Sequence, residues 1–311
     1  MAVSNKHVLQ QGPVLATLAG AAMSALRQRI DEKLGRPATT DMPPLPSEEF
    51  SATLAPRPTD LVRDYVRNVG GDPSAYKGLV PAHMFPQWGF PLSAKTLANI
   101  PYPLVRVLNG GCRLQMNAPL PADEPLIVRA RLEDIDDNGR RAVLHQRVVT
   151  GTASNPEAVV ADLFAIVPLH QPKGNGTNGS AEKREPNRVP AGAEELQRWR
   201  IGPTAGLDFA KLTGDFNPVH WVRPYAKAFG FRSTILHGFA TMARAIEGLQ
   251  RTIFAGSVHA LHVVDVKFTK PLTLPAKVGL YIHGDEIFVG DAPGGPAYLV
   301  GSFVRNTKVP S

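Results

Sequence analysis

Apolar residues along the chain follow two rhythms. From Gly238 onward they recur every three or four positions, and Phe239, Met242, Ile246, Leu249 and Ile253 make one stripe. Arg244, Glu247 and Arg251 fall off that stripe, so the spacing predicts a helix with one buried face. Shorter helices are predicted over Leu61–Val69 and Leu207–Leu212, each followed by a Gly-Asp, at Gly71-Asp72 and Gly214-Asp215. Strand-like runs come after. The first part has Val105–Met116, Pro125–Asp134, Arg141–Thr150 and Ala158–Leu169, with Asp137-Asn138-Gly139 as a hairpin turn. The later part has Ala260–Thr269, Ala276–His283, a weak Ile287–Val289 and Tyr298–Asn306. A helix-then-sheet order met twice predicts an α+β unit and its duplicate.

Two stretches interrupt the pattern. Ala38–Pro58 is rich in Pro, Thr and Ser and reads as an extended connector. Gln171–Pro190 (QPKGNGTNGSAEKREPNRVP) has almost no apolar residue and reads as a flexible linker. The expected organisation is therefore residues 1–47 as an N-terminal helix and connector, 48–170 as one domain, 171–190 as linker and 191–311 as a second domain. The early helix is expected over Val14–Leu34, ended near Gly35 and Pro37. Its apolar part is too short to span a membrane, and Arg27 and Arg29 argue against a signal peptide.

Composition narrows the function classes. With 43% hydrophobic and 20% charged residues in 311, the chain is globular rather than disordered. Its 28 Gly and 29 Pro speak against an all-helical bundle. The single cysteine, Cys112, excludes an intrachain disulfide framework and any multi-cysteine zinc or iron–sulfur site. A cytoplasmic, reducing location is compatible with that. The net charge of +7 favours an anionic partner. The basic residues stand singly or in pairs such as Arg140-Arg141, so no nucleic-acid partner is expected.

The chemistry concentrates in Leu212-Thr213-Gly214-Asp215-Phe216-Asn217-Pro218-Val219-His220. Pro218 prevents a regular helix here, and Asn217 before it favours a turn. A turn can aim the Asp215 carboxylate and the His220 imidazole at one water, one group taking a proton and the other giving one. The plainer reading has Asp215 capping the next helix and His220 on its surface. Further along, Ser233-Thr234-Ile235-Leu236-His237-Gly238 runs straight into the stripe helix. The N–H of Gly238 at that helix start, unshielded by a side chain, suits an oxygen gaining negative charge. Gly238 also suits close helix–sheet packing, and His237 suits a partly buried hydrogen-bonding role.

The pattern F-x-x-L-T-G-D-F-N-P-V-H-x5-A, Phe209 to Ala226, resembles the signature of the MaoC-like (R)-specific enoyl-CoA hydratases. Gly230–Phe239 (GFRSTILHGF) and Asp265–Leu272 (DVKFTKPL) are also similar to that family. The resemblance implies a hotdog fold, an antiparallel sheet curled around one long helix. It implies reversible syn addition of water to trans-2-enoyl-CoA, giving (R)-3-hydroxyacyl-CoA, with no metal and no cofactor beyond the coenzyme A or acyl-carrier-protein thioester. The family's roles carry over as Asp215 and His220 activating water, Asn217 orienting the pair and Gly238 donating to the thioester carbonyl. His237, Phe239, Arg232 and Lys270 are expected on the substrate side, with Arg223 and Lys227 as further candidates for the carrier's phosphates.

The first unit lacks the motif: Gly70-Gly71-Asp72-Pro73 has no Asn-Pro-x-His, and His83 reads as structural. This resembles the double-hotdog hydratases, whose degenerate half makes room for a bulky acyl chain. Phe85, Trp88 and Phe90 would line that room, or else belong to the core. A doubled chain is expected as a monomer resembling a dimer of single hotdogs, or as a homodimer. Two other readings stay open, a hotdog thioesterase and a non-catalytic acyl-thioester binder. One departure concerns the stripe helix, where some relatives carry a serine. Ala243, Ala245 and Ile246 stand there, and Thr241 is the only early hydroxyl.

Overall fold

The computed structural model describes residues 3–12, 42–98, 100–104, 107–169 and 186–307. In chain order the first half gives α1 (Lys6–Leu9), β1 (Phe50–Leu54), α2 (Thr59–Asn68), a 3-10 turn (Pro73–Tyr76), β2 (Leu79–Val80), a second 3-10 turn (Ala82–Met84), α3 (Pro86–Thr96), β3 (Leu108–Met116), β4 (Leu120–Pro121), β5 (Leu126–Asp137), β6 (Arg141–Gly151) and β7 (Val159–Pro168). The second half gives β8 (Glu194–Ile201), α4 (Ala205–Thr213), a 3-10 turn (Pro218–His220), α5 (Arg223–Ala228), α6 (Gly238–Thr252), β9 (Leu261–Phe268), β10 (Ala276–His283), β11 (Glu286–Gly290) and β12 (Ala297–Arg305). The expected helix at Val14–Leu34 and residues 171–185 of the expected linker lie outside the described residues.

Ten strands join in one sheet, ordered β1-β5-β6-β7-β3-β9-β12-β11-β10-β8. Taken from each edge inward, β1-β5-β6-β7-β3 is matched by β8-β10-β11-β12-β9. The halves therefore repeat one topology about a pseudo-two-fold axis, which passes between β3 and β9. Those two strands pair antiparallel, with Cys112 opposite Val266. Period-two alternation explains why most strands are legible. In β5, Leu126, Val128, Ala130 and Leu132 are buried while Arg129 and Arg131 point the other way.

Each half lays a helix on its part of the sheet. On α6 the apolar stripe is buried as expected, Met242, Ile246 and Leu249 completely. The opposite face is only partly solvated: Arg251 is exposed, whereas Glu247 and most of Arg244 are covered, which corrects the expectation for those two. Glu247 is 3% exposed and its Oε1 lies 3.0 Å from His83 Nε2. Arg244 donates to the carbonyl of Asn68, and Arg251 donates to that of Gly70 at 3.0 Å. The cause is the duplication, because the first half covers the face that a lone hotdog helix would leave open. The shorter α3 carries Pro91 inside it and packs on β5 and β6. Phe85 and Trp88 belong to the core, and Trp88 Nε1 donates to Thr150 Oγ1 at 2.9 Å.

Residues 3–12 are tied to the body rather than standing apart. His7 is fully buried, with Nε2 2.9 Å from Asp64 Oδ2. Gln11 donates to the carbonyl of Leu212 at 3.1 Å and accepts from Gln87 at 3.0 Å. Among the described residues no helix is long and apolar enough to cross a membrane.

Candidate active site

The site begins where α4 stops. Gly214 caps that helix with φ 82°, a left-handed conformation that glycine adopts without a Cβ penalty. The chain reverses and presents Asp215. The 3-10 turn Pro218–His220 is capped by Asn217 rather than Asp215: the Asn217 side chain accepts from Val219 N at 3.3 Å. The Asn217 N–H in turn donates to Asp215 Oδ1 at 3.3 Å. The capping alternative for Asp215 is thus replaced by one in which Asn217 holds both the turn and the carboxylate.

His220 ends the 3-10 turn. Its Nδ1 lies 2.9 Å from the Ile235 carbonyl oxygen. A carbonyl only accepts, so Nδ1 carries the proton and Nε2 presents a lone pair. His237 lies beneath, 2% exposed, its ring stacked on His220 with centroids 3.5 Å apart. His237 Nε2 is 3.0 Å from the Asp215 carbonyl oxygen, so it donates there, and Nδ1 has no hydrogen-bond partner. Phe209, which opens the motif, packs under His237 at 4.9 Å.

Burial sets the charges of the two rings. It lowers the His220 pKa against the pull of Asp215. It drives His237 down to about 3, with neighbouring His220 adding to the effect. Both imidazoles are therefore neutral near pH 7, and one ligand-type atom from each of Asp215, His220 and His237 lies within 4.8 Å of the others. Such a trio has the side chains to hold a cation. With Nδ1 of His220 and Nε2 of His237 already donating, the atoms left over are His220 Nε2, the buried His237 Nδ1 and a carboxylate oxygen.

Helix α6 starts next to this group, with His237 as its N-cap. Its internal bonds begin at Ala240 N, which leaves the N–H groups of Gly238 and Phe239 ahead of them. A Cβ on Gly238 would sit 3.0 Å from the Phe268 ring. The missing side chain therefore serves close packing and leaves the N–H unshielded together. The Thr241 hydroxyl is turned back to the His237 carbonyl at 3.3 Å, so it steadies the helix start.

The remaining candidates divide into one buried ring and four exposed cations. Phe239 is buried and meets Phe85, Phe90 and Phe268 edge-on at 5.3–5.8 Å, an aromatic seam between the halves. Arg232 and Lys270 are exposed, Lys270 lying 5.9 Å above the Tyr298 ring. Arg223 and Lys227 are exposed on α5. Sequence reasoning did not pair His237 with Asp215. The hint was that a histidine just before an unshielded helix start has a fixed position to fill.

The first half makes the same turn with other residues. Gly70 follows α2 with φ 88°, as Gly214 follows α4. Matching these glycines puts Tyr65 at the place of Phe209, Gly71 at that of Asp215 and Tyr76 at that of His220. The Gly-Asp pairs noted in the sequence are thus one residue out of register. Leu79 pairs with Pro121 as Ile235 bridges Thr273, which puts Pro81 at the place of His237.

Residues 187–288 match a family model described as MaoC like domain. The second half is a MaoC-like domain. Over 196 residues the chain is 29% identical to 3-hydroxyacyl-thioester dehydratase X of Mycobacterium tuberculosis, covering 62% of this chain and 66% of that one. It is 25% identical to the peroxisomal Enoyl-CoA hydratase 2 of Arabidopsis thaliana over 172 residues, 52% of this chain and 55% of the relative. The match therefore spans somewhat less than two thirds of each relative's length. Among solved structures, HtdX of Mycobacterium tuberculosis superposes with a TM-score of 0.63 at 22% identity, over 82% of this chain and 99% of its own. A conserved hypothetical protein of the same organism, described as a double hotdog fold, gives 0.54 at 12% identity over 88% and 99%. The MaoC-like half and its degenerate partner thus form a double hotdog.

Proposed function

We propose that the protein is an (R)-specific enoyl-thioester hydratase and 3-hydroxyacyl-thioester dehydratase, acting reversibly on a coenzyme A or acyl-carrier-protein thioester. The observation that carries this reading is the grouping of Asp215, His220 and His237 within 4.8 Å, beside the open N-terminus of α6. The names of the similar dehydratase and hydratase support the same chemistry.

In the hydration direction, a water donates one hydrogen bond to Asp215 and one to His220 Nε2. Asp215 takes a proton as the water oxygen bonds to the β-carbon. The electron pair of the carbon–carbon double bond moves toward the thioester oxygen, giving an enolate. The Gly238 N–H donates to that oxygen, and the dipole of α6 adds to the effect. The proton then passes from the Asp215–His220 pair to the α-carbon, on the face where the oxygen was added. His237 stays neutral and holds the Asp215 backbone and the His220 ring in place. Asn217 fixes the turn, and Arg232 and Lys270 are the cations offered to the carrier's phosphates.

The test is stereochemical. Crotonyl-CoA incubated with the enzyme and resolved on a chiral column should give (R)-3-hydroxybutyryl-CoA. The (S) product, or free crotonate from thioester hydrolysis, would overturn the reading.

A further inference from the structure

The degenerate half is not empty of chemistry. A Cβ at Gly71 would overlap the carboxylate of Glu247. Gly71 stands where Asp215 stands in the other half, so the acidic group missing from the turn is supplied across the pseudo-axis, from helix α6. Around it is a buried polar group. Glu247 Oε1 is 3.0 Å from His83 Nε2, and Tyr76 Oη is 3.2 Å from the same nitrogen. The Tyr76 hydroxyl donates to Gln250 Oε1 at 2.8 Å. The Tyr65 hydroxyl donates to the His83 carbonyl at 2.8 Å, leaving its oxygen to accept from His83 Nδ1 at 3.1 Å. His83 is thus held at both ring nitrogens, by Tyr65 on one side and by Glu247 and Tyr76 on the other.

These bonds use one carboxylate oxygen. The second, Oε2, lies over Gly71, and Glu247 lines a cleft of about 540 Å³ with Gly71, Ser74, Gln250 and Arg251. On the other side of Tyr76 and Gln250 is a smaller cavity of about 80 Å³, walled largely by apolar groups such as Leu79, Met116, Leu120 and Leu261. The two cavities share Gln250 and Val258 in their walls. An acceptor on Glu247 beside the amide of Gln250 suits a group that both donates and accepts, as an alcohol does. The apolar recess suits a short hydrocarbon tail.

We propose that the degenerate half holds a second ligand site, rebuilt across the pseudo-two-fold axis, where Glu247 and Gln250, held in place by His83 and Tyr76, bind the hydroxyl of a short 3-hydroxyacyl thioester. The ligand class rests on the hydratase reading, because the site repeats, in position, the carboxylate and ring that handle the same group in the MaoC-like half.

Calorimetric titration with (R)-3-hydroxybutyryl-CoA tests it, on the Asp215→Asn variant so that turnover is slowed. The proposal expects two bound equivalents, one of which disappears when Glu247→Gln is added, and likewise when Gly71→Ala is added instead. Stoichiometry and affinity unchanged by both would overturn it. A crystal soaked with the same ligand needs no second substitution: an acyl hydroxyl within hydrogen-bond distance of Glu247 Oε2 supports the site, and a cleft without ligand refutes it. Wild-type hydration is assayed alongside. Activity without the second equivalent sinks the site and spares the hydratase reading. The second equivalent without activity does the reverse. No thioester bound at all sinks both.

Discussion

The two halves share a strand order and a turn, and they differ in what the turn carries. In the MaoC-like half the turn is self-sufficient. Asp215, Asn217 and His220 lie within six consecutive residues, and His237 joins them from the start of the adjacent helix. In the degenerate half the corresponding places hold Gly71, Pro73 and Tyr76, and the buried acid arrives from the other half as Glu247. The comparison separates two uses of one scaffold. A site built within one turn can be tuned as a unit. A site assembled across the axis also binds the halves together, so its residues are expected to weigh on stability as well as on any ligand.

Asp215→Asn should separate the halves most sharply. It keeps the shape of the turn and should lower kcat by about 10²–10⁴-fold, read as loss of enoyl-thioester absorbance. Glu247→Ala strikes the other half. Removing Glu247 leaves the buried His83 ring without its 3.0 Å partner and should cost about 1–3 kcal/mol, read by denaturant unfolding. A loss under about 1 kcal/mol would show that the cross-axis cluster is not a tie. Gly238→Pro removes the helix-start N–H where proline is tolerated, since His237 already has φ -59° and ψ 137°. Its Cβ also meets the Phe268 ring at 3.0 Å, so kcat should fall by at least about 10²–10³-fold, read beside a circular-dichroism check of the fold.

The pH profile should sharpen the contrast further. Burial lowers the His220 pKa, so its lone pair is lost only as pH falls through a value below the usual ~6.5 of histidine. The acid limb of kcat should therefore lie below that value. His237, neutral in the fold down to about pH 3, also makes the unfolded state the better proton binder between ~6.5 and 3. Its contribution to stability is full above that window and is lost as pH falls through it. The acid sensitivity of the melting temperature should thus weaken in His237→Gln. The smallest effect belongs to exposed Arg232 and Lys270. Substituting either with alanine should raise KM by a few-fold at low salt and less at high salt.

Much of the fold was legible because alternation and the α6 stripe are local patterns. Strand β10 was predicted end to end, and most other strands to within a few residues. The edge strands β1 and β8 were not predicted. Glu194–Ile201 reads EELQRWRI, whose charged and half-exposed positions hide the alternation that an inner strand displays. The burial of Arg244 and Glu247 was hidden for a different reason. Their partners, Asn68 and His83, lie more than 160 residues away and reach them only through the duplication. Asp215, Asn217, His220 and Gly238 were legible since the turn that gathers them is short and contains its own glycine and proline. The equivalence of Gly71 with Asp215 was not, because the neighbouring Asp72 suggests a register that is one residue off.

The most direct test tracks loss of enoyl absorbance with crotonyl-CoA and a long-chain enoyl-CoA, comparing wild type, Asp215→Asn and His220→Ala. The account predicts that wild type consumes at least one substrate and that each variant is slower by about a hundredfold or more. Folded wild type that binds both thioesters and converts neither, or variants as fast as wild type, would contradict it.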